Sequence, residues 1–324
     1  MSYSNRNQIF STEHTPIPPP SSSNQTSVTE FILLGLTDIK ELEVTLFTLF
    51  FLFFLGNLTG NIFILGFTIS NPSLHTPMYF FLGNLSVLDI CFSVVVVPKM
   101  LSDFLIPVKS ISFGGCIAQM HFFHFFGSSE ATLLTIMSYD RYLAIGKPLH
   151  YSNIMTTSVC RLLVLSCWAI GFLHSLLHTV LTARMSYCKS HVVNHFFCDL
   201  TSLLSLSCSD MSTIELITSV EGYLFGFIPL FLTLGSYTYI IFNIVKIRSI
   251  DGRRKAFSTC SSHLTVIILF YGTIIFMYMR PASDYSPAQD KLLAMFYTNV
   301  IPVLNPLIYS LRNREVKSST ANQL

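Results

Sequence analysis

The sequence predicts an all-α membrane protein, a bundle of seven transmembrane helices with its N-terminus outside and its C-terminus inside. Three observations carry this expectation. Only 11% of the 324 residues are charged, against 51% hydrophobic, whereas a soluble domain averages about 25% charged residues and needs them to cover its surface. Seven apolar stretches are long enough to cross a bilayer, because about 20 residues at about 1.5 Å rise span about 30 Å. Lys and Arg gather in alternate connections, which orients the chain.

The stretches run over 44–69, 78–101, 113–140, 159–181, 213–245, 256–279 and 290–310. Pro98, Pro229, Pro302 and Pro306 interrupt them, which a bundle tolerates when neighbouring helices re-satisfy the freed backbone groups. The fifth stretch is overlong and projects beyond the lipid. Between the fifth and sixth lie Lys246, Arg248, Arg253, Arg254 and Lys255; after the seventh come Arg312, Arg314 and Lys317. Arg141, Lys147 and Arg161 surround the third connection, while residues 1–43 hold only Arg6 and Lys40 against Glu13, Glu30, Asp38, Glu41 and Glu43. Those cytoplasmic cations fix the orientation. No early basic and apolar leader precedes the first span, so that span is expected to direct insertion.

Three parts result: an outer disordered tail over 1–43, the helix bundle over 44–310 and a short inner tail over 311–324. Pro16, Pro18, Pro19 and Pro20 and the surrounding Ser, Thr and Asn residues make the tail a poor core former. Asn24-Gln25-Thr26 is a glycosylation sequon there. The sequons at Asn57 and Asn84 lie inside spans and are read as chance matches. The inner tail is expected to form a short helix along the inner leaflet, its Arg312, Arg314 and Lys317 towards anionic lipid. The net charge of +2 is not gathered into a patch, so membrane lipid, and not nucleic acid, is the implied partner.

Several residues sit where their chemistry is costly. Asp140-Arg141 closes the third span, and a full charge at a bilayer centre costs roughly 2.5–3.5 kcal/mol on insertion scales. At the boundary the two neutralise each other, and an arriving partner can free the Arg. Asp89 and Glu130 lie deep in the second and third spans, and near Asn61 and Asn305 they can share a proton, hold Na⁺ through oxygen ligands, or form a hydrogen-bonded cluster. Cys116 and the long 182–212 connection, with Cys188, Cys198 and Cys208, share the oxidising side. Four cysteines allow three pairings.

With these residues in view, the chain resembles the rhodopsin-class G-protein-coupled receptors through Asp140-Arg141-Tyr142, Asn305-Pro306-Leu307-Ile308-Tyr309, Trp168 and Gly60-Asn61. It is similar to the olfactory receptors, tetrapod-type class II, in longer strings: Leu74 to Phe81 (LHTPMYFF), Pro98-Lys99-Met100, Ser138 to Ile145 (SYDRYLAI), Lys255 to His263 (KAFSTCSSH) and Asn305 to Asn313 (NPLIYSLRN). The match runs over about 24–317. Three departures stand out: Gly146, where the family usually has Cys, Ser138, where it usually has Ala, and an unusually long tail before Asn24.

The resemblance implies a Cys116–Cys198 disulfide, with Cys188–Cys208 closing a hairpin, and sodium or a proton at Asp89, Glu130 and Asn61. It implies an activation switch in which Arg141 leaves Asp140 and meets Tyr237 and Tyr309, supported by Tyr142, Asn305 and Pro306. His263 and the 246–255 stretch would then lie where a G protein docks. Pocket candidates in the outer halves of the spans are Phe123, His124, Gly127, Ser128, Glu221, Phe225, Tyr271, Ile274, Tyr278 and Thr298. Their aromatic walls with few polar groups suit small, mostly apolar ligands. Glu221 either favours an amine or hydrogen-bond donor, pairs with a histidine such as His124, or snorkels outward.

The function so implied is an odorant receptor of the plasma membrane of olfactory cilia, activating a stimulatory olfactory-type G protein and raising cyclic AMP. His195-x-x-Cys198-Asp199 resembles a proposed metal-assisted thiol site, but a disulfide explains Cys198 better, so no metal site is expected. Other classes fit less well. A retinal protein needs a lysine where Asn299 stands, an amine receptor an Asp where Phe123 stands, and no HExxH or P-loop occurs that would suggest an enzyme. A transporter or channel is the alternative of a different class.

Overall fold

The computed structural model describes residues 28–37, 39–278 and 286–312. Helix α1 runs Lys40–Ser70, α2 Pro77–Asp103, α3 Phe113–Gly146, the short α4 Pro148–Ile154, and α5 Thr157–Ala183. After α6, Leu200–Leu206, the fifth crossing is built from α7, Ser212–Glu221, and α8, Ile228–Val245, joined through a π-helical segment at Gly222–Phe227. Then come α9, Ile250–Tyr278, and a seventh crossing made of α10, Pro287–Met295, a π segment at Phe296–Val300, and α11, Ile301–Arg312.

The result is a seven-helix membrane bundle. Six of the crossings carry an apolar window sufficient in length and composition to span. The other, α3, is diluted by buried Gln119, Ser129, Glu130, Ser138 and Asp140, because it runs through the middle of the bundle. By contrast α1 buries only Phe50, Asn57, Asn61, Ile64, Phe67 and Thr68. Their spacing of three, four and seven marks a single inward stripe, and Leu52, Ile62 and Phe63 on its other side are exposed, as a lipid-facing surface requires.

Both π segments have a local cause. A proline lacks an N–H and clashes with the carbonyl four residues back. Pro229 opens α8 and Pro302 opens α11, so the preceding turns widen around Phe225 and Thr298 instead of continuing as α-helix. The helix pair α3 and α5 meets closely at Gly171. A Cβ there would lie 2.7 Å from the Phe125 carbonyl oxygen and 3.0 Å from the Ser129 nitrogen.

The disulfide-bearing end is closed by a small sheet. Strands β1, Glu30–Leu33, β2, Ser110–Ser112, and β3, Val192–Val193, are ordered β2-β1-β3. The β1–β2 pair is antiparallel, with Phe31 opposite Ile111, and the β1–β3 pair is parallel, with Leu33 opposite Val193. Phe31 and Leu33 are buried while Ile32 is exposed, the period of two that a strand imposes. They join Cys116, Met120, Tyr187, Cys198, Leu203 and Ile214 in a second hydrophobic cluster, separate from the main core between the helices.

This corrects the expectation of an irregular tail through 43: residues 30–33 form a strand and α1 begins at Lys40. The four-residue run was too short to distinguish from a tail by periodicity, and its partners are distant in sequence. The sequon at Asn24 and the inner-tail helix beyond Arg312 lie outside the described residues.

Candidate functional site

Three polar groups interrupt the apolar interior, and the sequence places residues from several helices in each. At the disulfide end, Cys116 at the start of α3 is bonded to Cys198, and Cys188 to Cys208, the pairing the resemblance implies. The hairpin so closed brings Tyr187 opposite Ser207. Inside this lid Cys198 N–H donates to Gln119 Oε1 at 2.9 Å, so the loop is anchored to α3 by a hydrogen bond as well as covalently. Since Cys198 is consumed in the disulfide, no thiol is left beside His195 to serve as a metal ligand.

Beneath the lid, Phe123 is buried among aromatic rings. Its centroid lies 4.7 Å from Phe197 and 4.9 Å from Phe92, and Tyr297 approaches the same cluster. Gly127 faces this cluster too, its missing Cβ leaving room for the Tyr297 hydroxyl. One helical turn around, His124 donates from Nδ1 to the Met120 carbonyl at 2.9 Å. Ser128 Oγ is 2.7 Å from His174 Nδ1, and Phe225 lies 4.7 Å from the His174 ring.

Glu221 joins this group through two histidines of α5. Its Oε2 is 3.5 Å from His174 Nε2 and in closer contact with His178 Nε2. Of the three options for Glu221, pairing with histidine is the one seen, but with His174 and His178, not His124. The His124 ring stands 5.4 Å from that of His178, so it borders the group without holding the carboxylate. His174 and His178 were missed in the sequence. Their signal was the spacing of four, which puts both imidazoles on one face of α5.

The remaining pocket candidates do not converge on Glu221. Tyr271 is buried, its hydroxyl donating to the Ala131 carbonyl at 3.2 Å beside Thr135. Thr298 donates to the Ala294 carbonyl at 2.8 Å, within its own helix. Ile274 packs half-buried on the main core. The side chain of Tyr278 lies outside the described residues. Neither of the two grooves described lies here: one of about 650 Å³ runs along Leu65, Tyr79, Met155 and Cys160, and the other lies between α8 and α9 at Ile244 and Phe257.

The middle group centres on Asp89. Asn305 Nδ2 donates to both of its carboxylate oxygens, at 3.0 and 3.1 Å. Asn61 is not bonded to this carboxylate; its Nδ2 donates to Asn57 and to the Pro302 carbonyl. Asn57 makes the link instead, donating to the Asp89 backbone carbonyl at 3.2 Å. Reading Asn57 only as a chance sequon therefore missed a buried bridge between α1 and α2. Glu130 Oε1 and Asn305 Oδ1 are buried without a hydrogen-bond partner, and such acceptors fit a small cation or a proton.

At the opposite end from the disulfides, Arg141 donates from Nε to Asp140 Oδ2 at 2.9 Å, with Nη2 in closer contact. Tyr151 of α4 donates to Asp140 Oδ1 at 2.7 Å. Burial, with the carboxylate beside it, pushes the Tyr151 hydroxyl above its usual range, so it stays protonated and donating. Tyr142 stacks on Tyr139 and lies 4.9 Å from Tyr239. Tyr239 can come this close because residue 146 is Gly; a Cβ there would press on the Tyr239 ring. That is the structural consequence of the departure at Gly146.

The Tyr237 hydroxyl is 2.6 Å from His263 Nδ1, and Tyr309 is buried with its hydroxyl unpaired. Pro306 rests on Gly60 of α1. His263 is 1% exposed, which corrects its placement on a docking face. It faces inward because it is on the side of α9 that meets α8.

The model of the olfactory receptor family matches residues 48–324. This chain belongs to the olfactory receptor family. It is 51% identical to human olfactory receptor 12D1 over 91% of this chain and 93% of that protein. Human olfactory receptor 5B12 is 49% identical, over 91% of this chain and 94% of its own length, and mouse olfactory receptor 5AR1 is 48% identical, over 91% and 96%. The molecule is therefore an odorant-sensing G-protein-coupled receptor, a multi-pass plasma-membrane protein and not an enzyme. The lidded end and the Asp140–Arg141 end are the opposite faces of this olfactory receptor.

Proposed function

We propose that this receptor takes small, mostly apolar odorants beneath the disulfide-anchored lid and activates a stimulatory olfactory-type G protein, raising cyclic AMP. The observation that carries the proposal is the buried Asp140–Arg141 pair latched by Tyr151. A guanidinium neutralised in this way is a closed state with a stored alternative: once freed, it can be held by Tyr237 and Tyr309, whose hydroxyl is unpaired. A ligand that binds the open arrangement more tightly shifts the population towards it.

The lidded face with the N-terminus is outside and the C-terminus inside, a reading supported by the cations of 246–255 and of the connections around Arg141 and Lys147. Asn24 is then available for glycosylation, and the sensory cilium is the membrane in which such signalling serves olfaction. Phe123, His124, Gly127, Ser128, Glu221 and Phe225 form the wall nearest the ligand, with Tyr271, Ile274, Tyr278 and Thr298 deeper or farther round. A sodium ion or a proton at Asp89 and Glu130 would satisfy the unpaired oxygens there. Such a cation would supply positive charge beside these carboxylates, while Asn305 orients the Asp89 carboxylate and Asn57, itself bonded to Asn61, holds the Asp89 backbone.

The test is cyclic AMP production in cells displaying the receptor, screened against a few hundred odorants. An agonist found in this way is expected to lose its effect on the Arg141→Ala receptor at matched surface level. A full response from that variant would overturn the switch. Ligand-dependent ion or solute flux without cyclic AMP would favour the transporter or channel reading instead.

A further inference from the structure

We propose that His174, His178 and Glu221 form a binding site for a divalent transition-metal ion, with zinc the best fit to the ligands present. Among the described residues, this is the one trio of His, Cys, Asp and Glu side chains whose ligand atoms all lie within 4.8 Å of one another. Two imidazole nitrogens and one carboxylate oxygen are a common zinc donor set.

The His174–Glu221 distance suits the ion. Ligands at about 2.0–2.1 Å from a tetrahedral centre stand about 3.4 Å apart, and His174 Nε2 is 3.5 Å from Glu221 Oε2. The His178 contact with Glu221 is closer than two ligands of one ion stand and must open for an ion to enter. No ligand rides on a flexible loop. His174 and His178 are one turn apart on α5, and Glu221 is the last residue of α7, held where the chain enters its π segment.

For His174 the surroundings supply the orienting contact that a metal-bound histidine needs. Ser128 Oγ meets His174 Nδ1 at 2.7 Å, which leaves Nε2, the atom facing Glu221, free to coordinate. His178 is 2% exposed and its Nδ1 is unpartnered; it packs beside the His124 and His174 rings with Nε2 turned to Glu221. One carboxylate leaves a net positive charge on a divalent ion with three protein ligands. The fourth position therefore favours hydroxide or another anionic donor, and the ion would staple α5 to α7.

The experiment uses the full-length receptor in detergent micelles, stripped with a chelator and titrated with Zn²⁺ against a chromophoric competitor, with no odorant present. Wild type is expected to take up one more equivalent than Glu221→Gln, which keeps the shape but loses the anionic oxygen. His174→Ala is expected to bind at least tenfold more weakly, and Ser128→Ala about tenfold more weakly, the range of orienting-shell losses. Co²⁺ substituted in wild type should give the intense visible bands of a four-coordinate site, absent in Glu221→Gln, which keeps the proposal testable if a histidine variant does not fold. Equal stoichiometry and affinity in wild type and Glu221→Gln would overturn it, as would a Co²⁺ spectrum that the Gln variant shares.

Discussion

At the scale of single residues, the interior is governed by which polar atoms find partners. Asn57 links Asn61 to the backbone of Asp89, so Asn57→Ala should lower stability by about 1–2 kcal/mol, within the range for buried hydrogen bonds in membranes. A drop in melting temperature of the detergent-solubilised receptor measures it, and an unchanged value would mean that the link is not worth its geometry. His195 in the lid gives a second prediction. Burial holds its pKa down at about 4, opposed by Asp199 and assisted by Lys291, against an ordinary value of about 6.5. The folded lid thus resists a proton that the unfolded chain accepts, and stability should be full above about pH 6.5 and fall as the pH drops towards 4. His195→Phe keeps the stacking on Phe196 and Phe197 and should flatten that part of the profile. Identical pH profiles for the two proteins would count against a buried neutral His195. Residues such as Asp89, Asp140 and Glu221 could be singled out from sequence because a charge in an apolar run needs a reason. Their partners could not, since Asn57, Tyr151 and His178 are ordinary residues until the helices are set side by side.

At the scale of elements, the crossings were legible because length and apolarity follow from bilayer thickness alone, and Pro229 and Pro302 marked where the fifth and seventh would deviate. The widened turns fall at Gly222–Phe227 and Phe296–Val300, next to Glu221 and around Thr298, so the backbone irregularity and the polar side chains share an address. The strand at Glu30–Leu33 was not legible. Its pairing partners at Ser110–Ser112 and Val192–Val193 are far away in the chain, and only closure of the lid brings them together. Helix contact sets a further expectation. Gly171 lies against Phe125 and Ser129 of α3, so Gly171→Ala forces the α3–α5 pair apart and should cost about 1–3 kcal/mol as overpacking does. The comparison is Gly272→Ala, at a position where an added Cβ meets nothing within 4 Å. Equal losses of thermal stability would show that the close approach is not the cause.

At the scale of the whole molecule, the receptor is a bundle fastened differently at its two faces. On the Asp140–Arg141 face the hydrogen bonds that join elements include those of Tyr151 with Asp140 and of Tyr237 with His263, contacts that a partner can exchange. The other face is held covalently and by a sheet, contacts that cannot be exchanged on the timescale of signalling. Motion should therefore concentrate at the arginine face while the lid keeps its shape. The two disulfides allow this to be tested, because they close segments of different length, with sequence separations of 82 and 20. The chain-entropy relation makes the longer closure worth about 1 kcal/mol more, within a usual range of about 2–4 kcal/mol per bridge. Only the longer one ties α3 to the lid and its hydrophobic cluster; the shorter only trims a hairpin within it. Replacing both cysteines of each pair by serine avoids stray thiols. Cys116→Ser with Cys198→Ser should lower the melting temperature more than Cys188→Ser with Cys208→Ser, measured in the same detergent at the same pH. If the hairpin pair proves equally or more costly to remove, the lid is stabilised from within and not by its tether to α3, and the contrast between a fixed and an exchangeable face loses its basis.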